Sequence, residues 1–387
     1  MSMNAIILAG GRGQRLMPLT AECPKPLVPF MDRPILDHIL TRLAQAGCTE
    51  AVLALGYQAD AIMAFVEDGR RWHLGVRYSR EENPLGTAGA VRLALSGLPS
   101  AEPVLVVSGD GMTDVDLGAF YRQAVASRAD GAVLLARVPD PRPYGMVALD
   151  HRNRIRQFIE KPTRVVADAL VNTGIYVFTR RLLEEIPIGV TADFGHEWLP
   201  RWIARGKHLI GVVGDGYWSD VGTVEQYRQA HEAVLSGKMR FWDMGRKEWN
   251  PAVRVSGPTY IAPSAVVDPT AHIGPYAVIG EGVRVMPWAR VERAIFARGA
   301  VVGAHSQVKG AVVAEDVELA GYSVIDEDVV IGRRVRVGYG AHVFPGTRLN
   351  LGTSVKPGAH VYAHHVIKDK HDREELYPSI QTTAKVW

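Results

Sequence analysis

The stretch AIILAGGRGQRLMPLTAECPKPLVPF (residues 5–30) begins as a buried β-strand and passes directly into a loop of glycines and cations. Glycines after a strand allow a ligand to approach the backbone closely, and exposed backbone N–H groups form a cradle for an anion. Two cations nearby can neutralise a polyphosphate. The stretch therefore predicts a phosphate-binding loop whose main residues are Gly10, Gly11, Gly13, Arg15 and Lys25.

This loop matches neither of the two common nucleotide-binding fingerprints. No Gly-Lys-Ser/Thr follows the glycines, which excludes a Walker loop, and Leu16 stands where G-x-G-x-x-G requires its third glycine. A polyphosphate held by two cations fits the loop better than a dinucleotide does.

Composition limits the other functions. The 387 residues are 47% hydrophobic and 22% charged, which is typical of a soluble globular protein with two or three domains. A net charge of +3 with scattered basic residues predicts neither a nucleic-acid partner nor a membrane partner. Cys23 and Cys48 form no CxxC pair and no metal-ligand cluster, which favours reduced thiols and a cytoplasmic location. The only apolar run near the N-terminus, residues 5–9, lacks the features of a signal peptide.

The periodicity of the first part, up to about residue 235, indicates an α/β fold. Apolar runs such as AIILA, AVLAL, PVLVV and GAVLLA alternate with amphipathic stretches, which predicts parallel strands covered by helices. YGMVALD, RIRQFIE, TGIYVF and HLIGVV add strands without long helices between them, which predicts a mixed-sheet region beside a pocket. Open α/β sheets bind ligands at the carboxyl ends of their strands, so we expect the site there.

Beyond about residue 258, apolar residues recur every six positions. This period fits neither a helix nor a flat strand and is similar to the hexapeptide repeat of a left-handed parallel β-helix. The repeat runs from Ile261 to Val291 and from Val313 to Val361, with a shift of one residue at each join of the short series between them. We therefore divide the chain into an N-terminal α/β domain (1–235), a linker (236–257), a left-handed β-helix (258–365) and a C-terminal tail (366–387).

Three further motifs extend the site. NPLGTAGAV (83–91) is a second glycine turn that opens a helix and can present backbone groups to a base. VLVVSGDGM (104–112) places Asp110 after a buried strand, and YWSDVGT (217–223) places Asp220 before a glycine turn. Two carboxylates without thiols or imidazoles in the pattern suit a hard cation, so we expect Mg²⁺.

Together these motifs resemble the sugar-1-phosphate nucleotidylyltransferases, and most closely the mannose-1-phosphate guanylyltransferase branch with a C-terminal left-handed β-helix. The resemblance covers nearly the whole chain and rests on LAGGRGQRLMPLTAECPKPLVP, GTAGA, SGD, YGMV, FIEKP, VNTGIYVF and WSDVGT in the order of the family. It implies a Rossmann-like nucleotidyltransferase domain with a mixed, mostly parallel sheet.

The resemblance also implies roles for individual residues. It assigns Arg15, Lys25 and Asp110 to catalysis and Asp110 and Asp220 to the metal. Tyr144 and His196 flank these motifs and are interpreted as packing residues. The nucleotide would be bound by Leu8, Ala9, Gly10, Gly11, Gly13, Arg15, Gly86 and Thr87, and the sugar phosphate by Gly145, Glu160, Lys161, Asn172 and Thr173.

The implied reaction is attack by a sugar 1-phosphate on the α-phosphorus of a nucleoside triphosphate, which gives a nucleotide-sugar and pyrophosphate. Both reactants are anions, so the main task is charge neutralisation and alignment. A phosphate monoester has a second pKa of about 6, so no general base is required. Gly89 stands where the UDP-N-acetylglucosamine branch has histidine, which favours guanylyl or adenylyl transfer, with GTP and mannose 1-phosphate as the favoured pair.

Three alternatives remain open at this stage. The same chemistry could use another nucleotide and sugar, such as an ADP- or UDP-glucose type, a heptose or a cyclitol phosphate. The chain could be a non-catalytic regulatory subunit that senses nucleotide-sugars, or the β-helix could be an acyltransferase whose bases are histidines. We expect the β-helix to mediate homo-oligomer formation instead. The candidate histidines are His305, His360, His364 and His365.

Overall fold

A computed structural model describes residues 3–98, 103–240 and 253–363 of the chain. These residues form two compact units. The first comprises residues 3–15 and 23–240, and the second comprises residues 16–22 and 253–363. Most of the expected linker and the whole expected tail, 366–387, lie outside the described residues.

Thirteen strands of the first unit are described. They are β1 Met3–Ala9, β2 Pro29–Phe30, β3 Arg33–Pro34, β4 Cys48–Leu55, β5 Gly75–Arg80, β6 Val104–Ser108, β7 Met112–Thr113, β8 Gly131–Val138, β9 Gly145–Leu149, β10 Ile155–Glu160, β11 Ala169–Phe178, β12 Leu209–Val213 and β13 Trp218–Ser219.

The described helices of this unit alternate with the early strands, as the periodicity predicts. The first illustrates why: Ile35, Ile39 and Leu43 recur at helical spacing and are buried, and the helix begins directly after Pro34. None of the described helices is long and apolar enough to cross a membrane. The α-helices are α1 Ile35–Gln45, α2 Ala59–Val66, α3 Gly86–Ala94, α4 Leu117–Ala126, α5 Arg180–Leu183, α6 Leu199–Ala204 and α7 Val224–Leu235, with a π-helix at Phe194–Trp198 and 3-10 turns at Gln14–Leu16, Lys25–Leu27, Arg70–Trp72 and Leu95–Gly97.

One nine-stranded mixed sheet organises the unit, which confirms the expected Rossmann-like fold class. Seven of its strands follow the order β10-β9-β11-β6-β1-β4-β5, and β8 joins β11 to β12. The neighbours β6, β1, β4 and β5 are parallel, whereas β11 is antiparallel to β6, β8 and β9. The loop that we expect to bind phosphate leaves the carboxyl end of the central strand β1, and Asp110 follows its parallel neighbour β6.

The second unit consists of short parallel strands in three sheets, which agrees with the expected left-handed β-helix. Its first described strand lies inside the segment that we expected to be linker. The strands are β14 Arg254–Val255, β15 Thr259–Ile261, β16 Val266–Val267, β17 His272–Ile273, β18 Ala277–Ile279, β19 Arg284–Val285, β20 Arg290–Glu292, β21 Ile295–Phe296, β22 Val301–Val302, β23 Gln307–Lys309, β24 Val312–Val313, β25 Glu318–Leu319, β26 Val324–Ile325, β27 Val330–Ile331, β28 Arg336–Val337, β29 His342–Val343, β30 Arg348–Leu349, β31 Ser354–Val355 and β32 His360–Val361.

Each strand pairs in parallel with the equivalent strand of the next coil. The sheets follow the orders β14-β17-β20-β23-β26-β29-β32, β15-β18-β21-β24-β27-β30 and β16-β19-β22-β25-β28-β31. The hexapeptide positions, among them Ile279, Phe296 and Ile331, form one buried apolar core. Burial of these side chains is the main contribution to the stability of this unit.

A buried histidine supports the helix that follows Asp220. His231 of α7 is 1% exposed, its Nε2 accepts a hydrogen bond from the backbone N–H of Met31 (3.0 Å), and its Nδ1 donates to the carbonyl of Tyr227 (2.8 Å). Burial lowers the pKa of His231 to about 4. The neutral ring fits this pair of partners, whereas a proton on Nε2 would face the Met31 N–H.

We therefore expect the free energy of unfolding to fall as the pH is lowered from about 6.5 to about 4. The unfolded chain binds a proton on His231 in this window and the native state does not, which costs roughly 3 kcal/mol at the acidic end. Urea unfolding at several pH values measures it. A His231→Gln variant should show a shallower slope, while exposed His151→Gln should keep that of the parent; equal slopes in all three would contradict the assignment.

Candidate functional site

The ammonium group of Lys25 joins the ends of two strands in the first unit. The side chain is 8% exposed, and Nζ donates to Oδ2 of Asp110 (2.8 Å) and to the backbone carbonyl of Asp220 (2.8 Å). The other carboxylate oxygen of Asp110 accepts a hydrogen bond from the Ser108 hydroxyl. A buried charge is costly without partners, so these contacts fix the three segments together. The structure thus brings together Lys25, Asp110 and Asp220, as the motifs predict.

Asp220 is followed by an unusual backbone conformation. Val221 is buried and has a φ of +45°, a left-handed value that is rare for a β-branched residue. Its N–H donates to the Ser219 hydroxyl (3.2 Å). Strained conformations of this kind persist where the surrounding structure enforces them, often at functional sites.

Gly222 leaves space for two charged groups. A Cβ at this position would lie 2.8 Å from Nη2 of Arg15 and 2.8 Å from Oδ2 of Asp220. Only glycine therefore allows both groups to approach the chain here. Arg15 therefore lies on the Asp220 side of the site, and its role beside a phosphate stays a prediction.

The glycine loop is anchored through its backbone. The carbonyl of Leu8 accepts a hydrogen bond from Gly109 (2.7 Å), and the carbonyl of Gly10 accepts one from Tyr57 (3.2 Å). A Cβ at Gly11 would meet no described atom within 4 Å, so the loop is open at this point. Gly13 has a φ of +63°, which favours glycine. An open, fixed loop of this kind can accept an anion.

A cavity of about 340 Å³ lies beside Asp220. It collects most of the residues expected to bind the sugar phosphate, together with Thr87 and Tyr144. Lys161, Lys25, Asp110 and the glycine loop are not part of its wall among the described residues. The wall includes Thr87, Ser108, Gly111, Tyr144, Gly145, Glu160, Asn172, Thr173, Gly174, Trp218 and Asp220.

Glu160 ends β10 and is held between two glycines. Its Oε2 lies 2.8 Å from the Cβ that Gly145 would carry and 2.6 Å from the one that Gly195 would carry. Burial raises the pKa of Glu160, while the nearby His196 and Lys161 act in the opposite direction. Lys161 has a φ of +46°, and its N–H donates to the carbonyl of Tyr144 (2.9 Å). The carboxylate can accept hydrogen bonds from sugar hydroxyls, while Lys161 follows it on a constrained backbone.

Asn172 and Thr173 shape the cavity wall. Nδ2 of Asn172 donates to the Tyr176 hydroxyl (2.8 Å), and its Oδ1 accepts from the N–H of Gly174 (3.0 Å). The Thr173 hydroxyl donates to the carbonyl of Leu134 (2.7 Å). These bonds hold the irregular segment where the pairing of β11 with β8 is interrupted. Both side chains therefore have structural partners within the protein.

Gly86 and Thr87 contact the segment that leads into the π-helix. Gly86 has a φ of +70°, and a Cβ there would lie 2.5 Å from the carbonyl of Ala192. The Thr87 hydroxyl donates to Oδ2 of Asp193 (2.9 Å) and accepts from the N–H of Phe194 (2.9 Å). The GTAGA turn thus fixes this segment against α3, and the expected contact of Gly86 and Thr87 with a base stays a prediction.

Sequence reasoning missed one part of the site. Tyr144, interpreted there as a packing residue, donates from its hydroxyl to Oδ1 of Asp220 (3.4 Å) and accepts from Nε2 of Gln226 (2.7 Å). Burial and the Asp220 carboxylate raise the pKa of Tyr144, so the phenol keeps its proton at neutral pH. The spacing Thr223-x-x-Gln226 is a capping box, which predicts the start of α7 but not the contact with Tyr144.

The donor atoms at this site fit a divalent metal. Among the described residues, no group of three or more His, Cys, Asp or Glu side chains is arranged to hold a metal ion by itself. Asp110 and Asp220 provide two carboxylates beside a loop that is open to phosphate. Mg²⁺ is often bound by one or two carboxylates, with phosphates and water completing its coordination.

Comparisons with known proteins bear on the family of the chain. Residues 4–237 match the family model of nucleotidyl transferases, and residues 255–368 match that of the GMPPB C-terminal domain. A mannose-1-phosphate guanylyltransferase of Mycobacterium tuberculosis is 32% identical over 304 residues, which cover 78% of this chain and 82% of the relative. The mannose-1-phosphate guanylyltransferase catalytic subunit beta of Drosophila melanogaster is 31% identical, with 88% of this chain and 93% of the relative covered.

A solved structure is also similar to part of this chain. HddC from Yersinia pseudotuberculosis, complexed with GMP-PN, is 28% identical with a TM-score of 0.53, and the match covers 60% of this chain and 99% of that one. The mixed sheet, the motifs at its strand ends and the family match over residues 4–237 all indicate a nucleotidyl transferase domain. The chain therefore belongs to the nucleotidyl transferase family, as a sugar-1-phosphate nucleotidyltransferase with a C-terminal domain like that of its guanylyltransferase relatives.

Proposed function

We propose that this enzyme transfers a guanylyl group from GTP to mannose 1-phosphate and releases pyrophosphate, in a reaction that depends on Mg²⁺. The observation that carries the proposal is the contact of Lys25 with both Asp110 and Asp220, next to the cavity that Glu160 lines. The printed names of the relatives support the choice of GTP and mannose 1-phosphate.

The proposed mechanism follows from the charges. Attacking and attacked groups are both anionic phosphates, so they must be neutralised and aligned before they can react. Arg15 and Lys25 would neutralise the phosphates of the nucleotide at the glycine loop, and Lys161 would bind the phosphate of the sugar. Glu160 would accept hydrogen bonds from sugar hydroxyls and orient the ring. The phosphate of the sugar is already ionised at neutral pH, so the protein needs no general base.

Asp110 and Asp220 would hold the metal in this mechanism. When bound, Mg²⁺ would stabilise the negative charge that develops on the phosphate oxygens. Lys25 contacts both residues, so its ammonium would orient the two carboxylate-bearing segments for that role.

The substrate pair is tested by measuring pyrophosphate release. Purified protein with Mg²⁺ is assayed with GTP, ATP, UTP, CTP and dTTP, each against mannose-, glucose-, N-acetylglucosamine- and galactose-1-phosphate. We expect GTP with mannose 1-phosphate to dominate. Another dominant pair would replace the substrates and keep the chemistry, whereas no release with any pair would contradict the proposal.

We expect Lys25→Ala to reduce kcat by about 100-fold or more, because it removes a preorganised charge from the transition state. Asp110→Asn should cause a similar loss and leaves Lys25 in place, so it covers the case in which Lys25→Ala fails to fold. The matched control is Lys238→Ala, since Lys238 is exposed. Circular dichroism reports folding, and a parental rate in either folded site variant would refute the assigned roles.

The acyltransferase alternative gains no support from the described histidines of the β-helix. His305 lies between the rings of Trp288 (6.3 Å between centroids) and Tyr322 (4.7 Å), and His360 packs near Phe344 (5.7 Å). His364 and His365 lie outside the described residues. Ring packing accounts for the first two histidines without a catalytic role.

We also propose that copies of the chain associate through the β-helix and that the protein is cytoplasmic. Exposed rings at Trp288, Tyr322 and Tyr339 form a column on the second unit, and apolar surface of this kind favours association. Sedimentation velocity at micromolar concentration should show an oligomer, and a triple substitution of these rings by serine should shift it toward monomer. A monomeric parent protein would contradict this part of the proposal.

A further inference from the structure

The N-terminus of α7 carries a modified capping box. The hydroxyl of Thr223 accepts a hydrogen bond from the N–H of Gln226 (3.2 Å), which is the usual cap of a helix. In a standard capping box the third residue of the helix turns back to the backbone N–H of the cap. Here Oε1 of Gln226 accepts from the Thr223 hydroxyl instead (3.2 Å), which leaves the amide Nε2 as a donor.

This arrangement fixes the direction of the hydrogen bond between Gln226 and Tyr144. Nε2 of Gln226 donates to the Tyr144 hydroxyl oxygen at 2.7 Å, and an amide N–H cannot accept. The phenolic proton is therefore available to another acceptor, and Oδ1 of Asp220 lies 3.4 Å away. The hydrogen bonds run in one direction from helix α7 to the carboxylate.

Two contacts hold Tyr144 in place between Gln226 and Asp220. Its ring packs edge-on against Trp218 (5.2 Å between centroids, 67° between planes), and its backbone carbonyl accepts from Lys161 (2.9 Å). Packing and the backbone contact therefore limit the movement of the ring. The hydroxyl is the group of Tyr144 that reaches Asp220.

The two oxygens of the Asp220 carboxylate have different surroundings. Oδ1 faces the Tyr144 hydroxyl, whereas Oδ2 lies near the Cα of Gly222, on the side where Arg15 is found. The backbone carbonyl of the same residue is occupied by Lys25. A hydrogen bond to Oδ1 would select one rotation of the carboxylate about its Cβ–Cγ bond.

We propose that Gln226 is a positioning residue that acts through Tyr144 to orient the Asp220 carboxylate toward the divalent metal. This inference rests on the proposed role of Asp220 as a metal ligand. Gln226 does not line the cavity, and in this proposal it contacts neither substrate nor metal. Its role is to order the Tyr144 hydroxyl, which in turn restricts the carboxylate to one orientation before the ion arrives.

The test uses Tyr144→Phe, Gln226→Met and the double variant of the full chain. Phenylalanine keeps the ring that packs on Trp218, and methionine keeps the length and the helix propensity of glutamine without adding charge. The dissociation constant for Mn²⁺ alone is measured by electron paramagnetic resonance of the unbound ion. We expect each single variant to weaken binding by about fivefold to tenfold, as for the loss of one hydrogen bond of ordinary strength.

The double variant decides whether the two residues act as one unit. If Gln226 works through Tyr144, the double variant binds Mn²⁺ as weakly as Tyr144→Phe alone, since the second substitution removes nothing more. If the two losses multiply, Gln226 acts independently and the proposal is wrong. In the enzymatic assay, excess Mg²⁺ should restore kcat in both single variants, which a general loss of structure would not allow.

Two controls separate this proposal from the proposed function. Gln229 lies on the same helix, and its amide Nε2 donates to Oε1 of Glu225 on the exposed surface (3.1 Å). Gln229→Met should therefore leave Mn²⁺ binding unchanged. Asp220→Asn should abolish most of the binding. If Asp220→Asn still binds Mn²⁺ like the parent, the proposed metal role of Asp220 is wrong. If Asp220→Asn loses Mn²⁺ binding while Tyr144→Phe and Gln226→Met bind normally, only the positioning role of Gln226 and Tyr144 is refuted.

Discussion

The buried contact of Lys25 with Asp110 and Asp220 is the constraint on which the site depends. The three residues come from distant parts of the chain: Lys25 and Asp110 are 85 positions apart, and Lys25 and Asp220 are 195 positions apart. The Lys25 side chain is 8% exposed and that of Asp110 is 29% exposed, so loss of either partner would leave a largely desolvated charge without its counter-charge. Asp110 follows β6 of the main sheet, Asp220 follows β13 of the two-stranded sheet β13-β7, and Lys25 begins the 3-10 turn before β2; the cavity lies beside Asp220.

The fold could be predicted from the sequence because both units repeat a simple pattern. Apolar runs alternate with amphipathic stretches in the first, and an apolar residue faces the core at every sixth position in the second. The one-residue shifts of that repeat also have a structural counterpart. Val278 pairs with Ile295, and Ile295 with Val312, whereas Val312 pairs with Val330, so two successive coils are one residue shorter than the next.

The site could be predicted only in part. The motifs identify residues at strand ends, and Lys25, Asp110 and Asp220 do meet in space. The motifs do not specify what each side chain contacts. Asn172 and Thr173 lie in the VNTGIYVF motif, yet their side chains bond to Tyr176 and Leu134.

The contact between Tyr144 and Gln226 could not be predicted from the motifs. They are 82 residues apart in the chain, and their contact depends on how α7 packs against the start of β9. No short-range pattern encodes a contact of that kind. The capping-box spacing predicts only the local bond between Thr223 and Gln226.

The left-handed backbone of Val221 has a consequence for the choice of ion. Only a narrow backbone region is open to a β-branched residue at positive φ, so the chain beside Asp220 has few neighbouring conformations in which to accommodate a larger ion. Mg²⁺ demands a small, nearly regular octahedron, whereas Ca²⁺ accepts longer bonds and irregular geometry. In the proposed role, a rigid support beneath one ligand would thus discriminate between cations by size, without any difference in their charge.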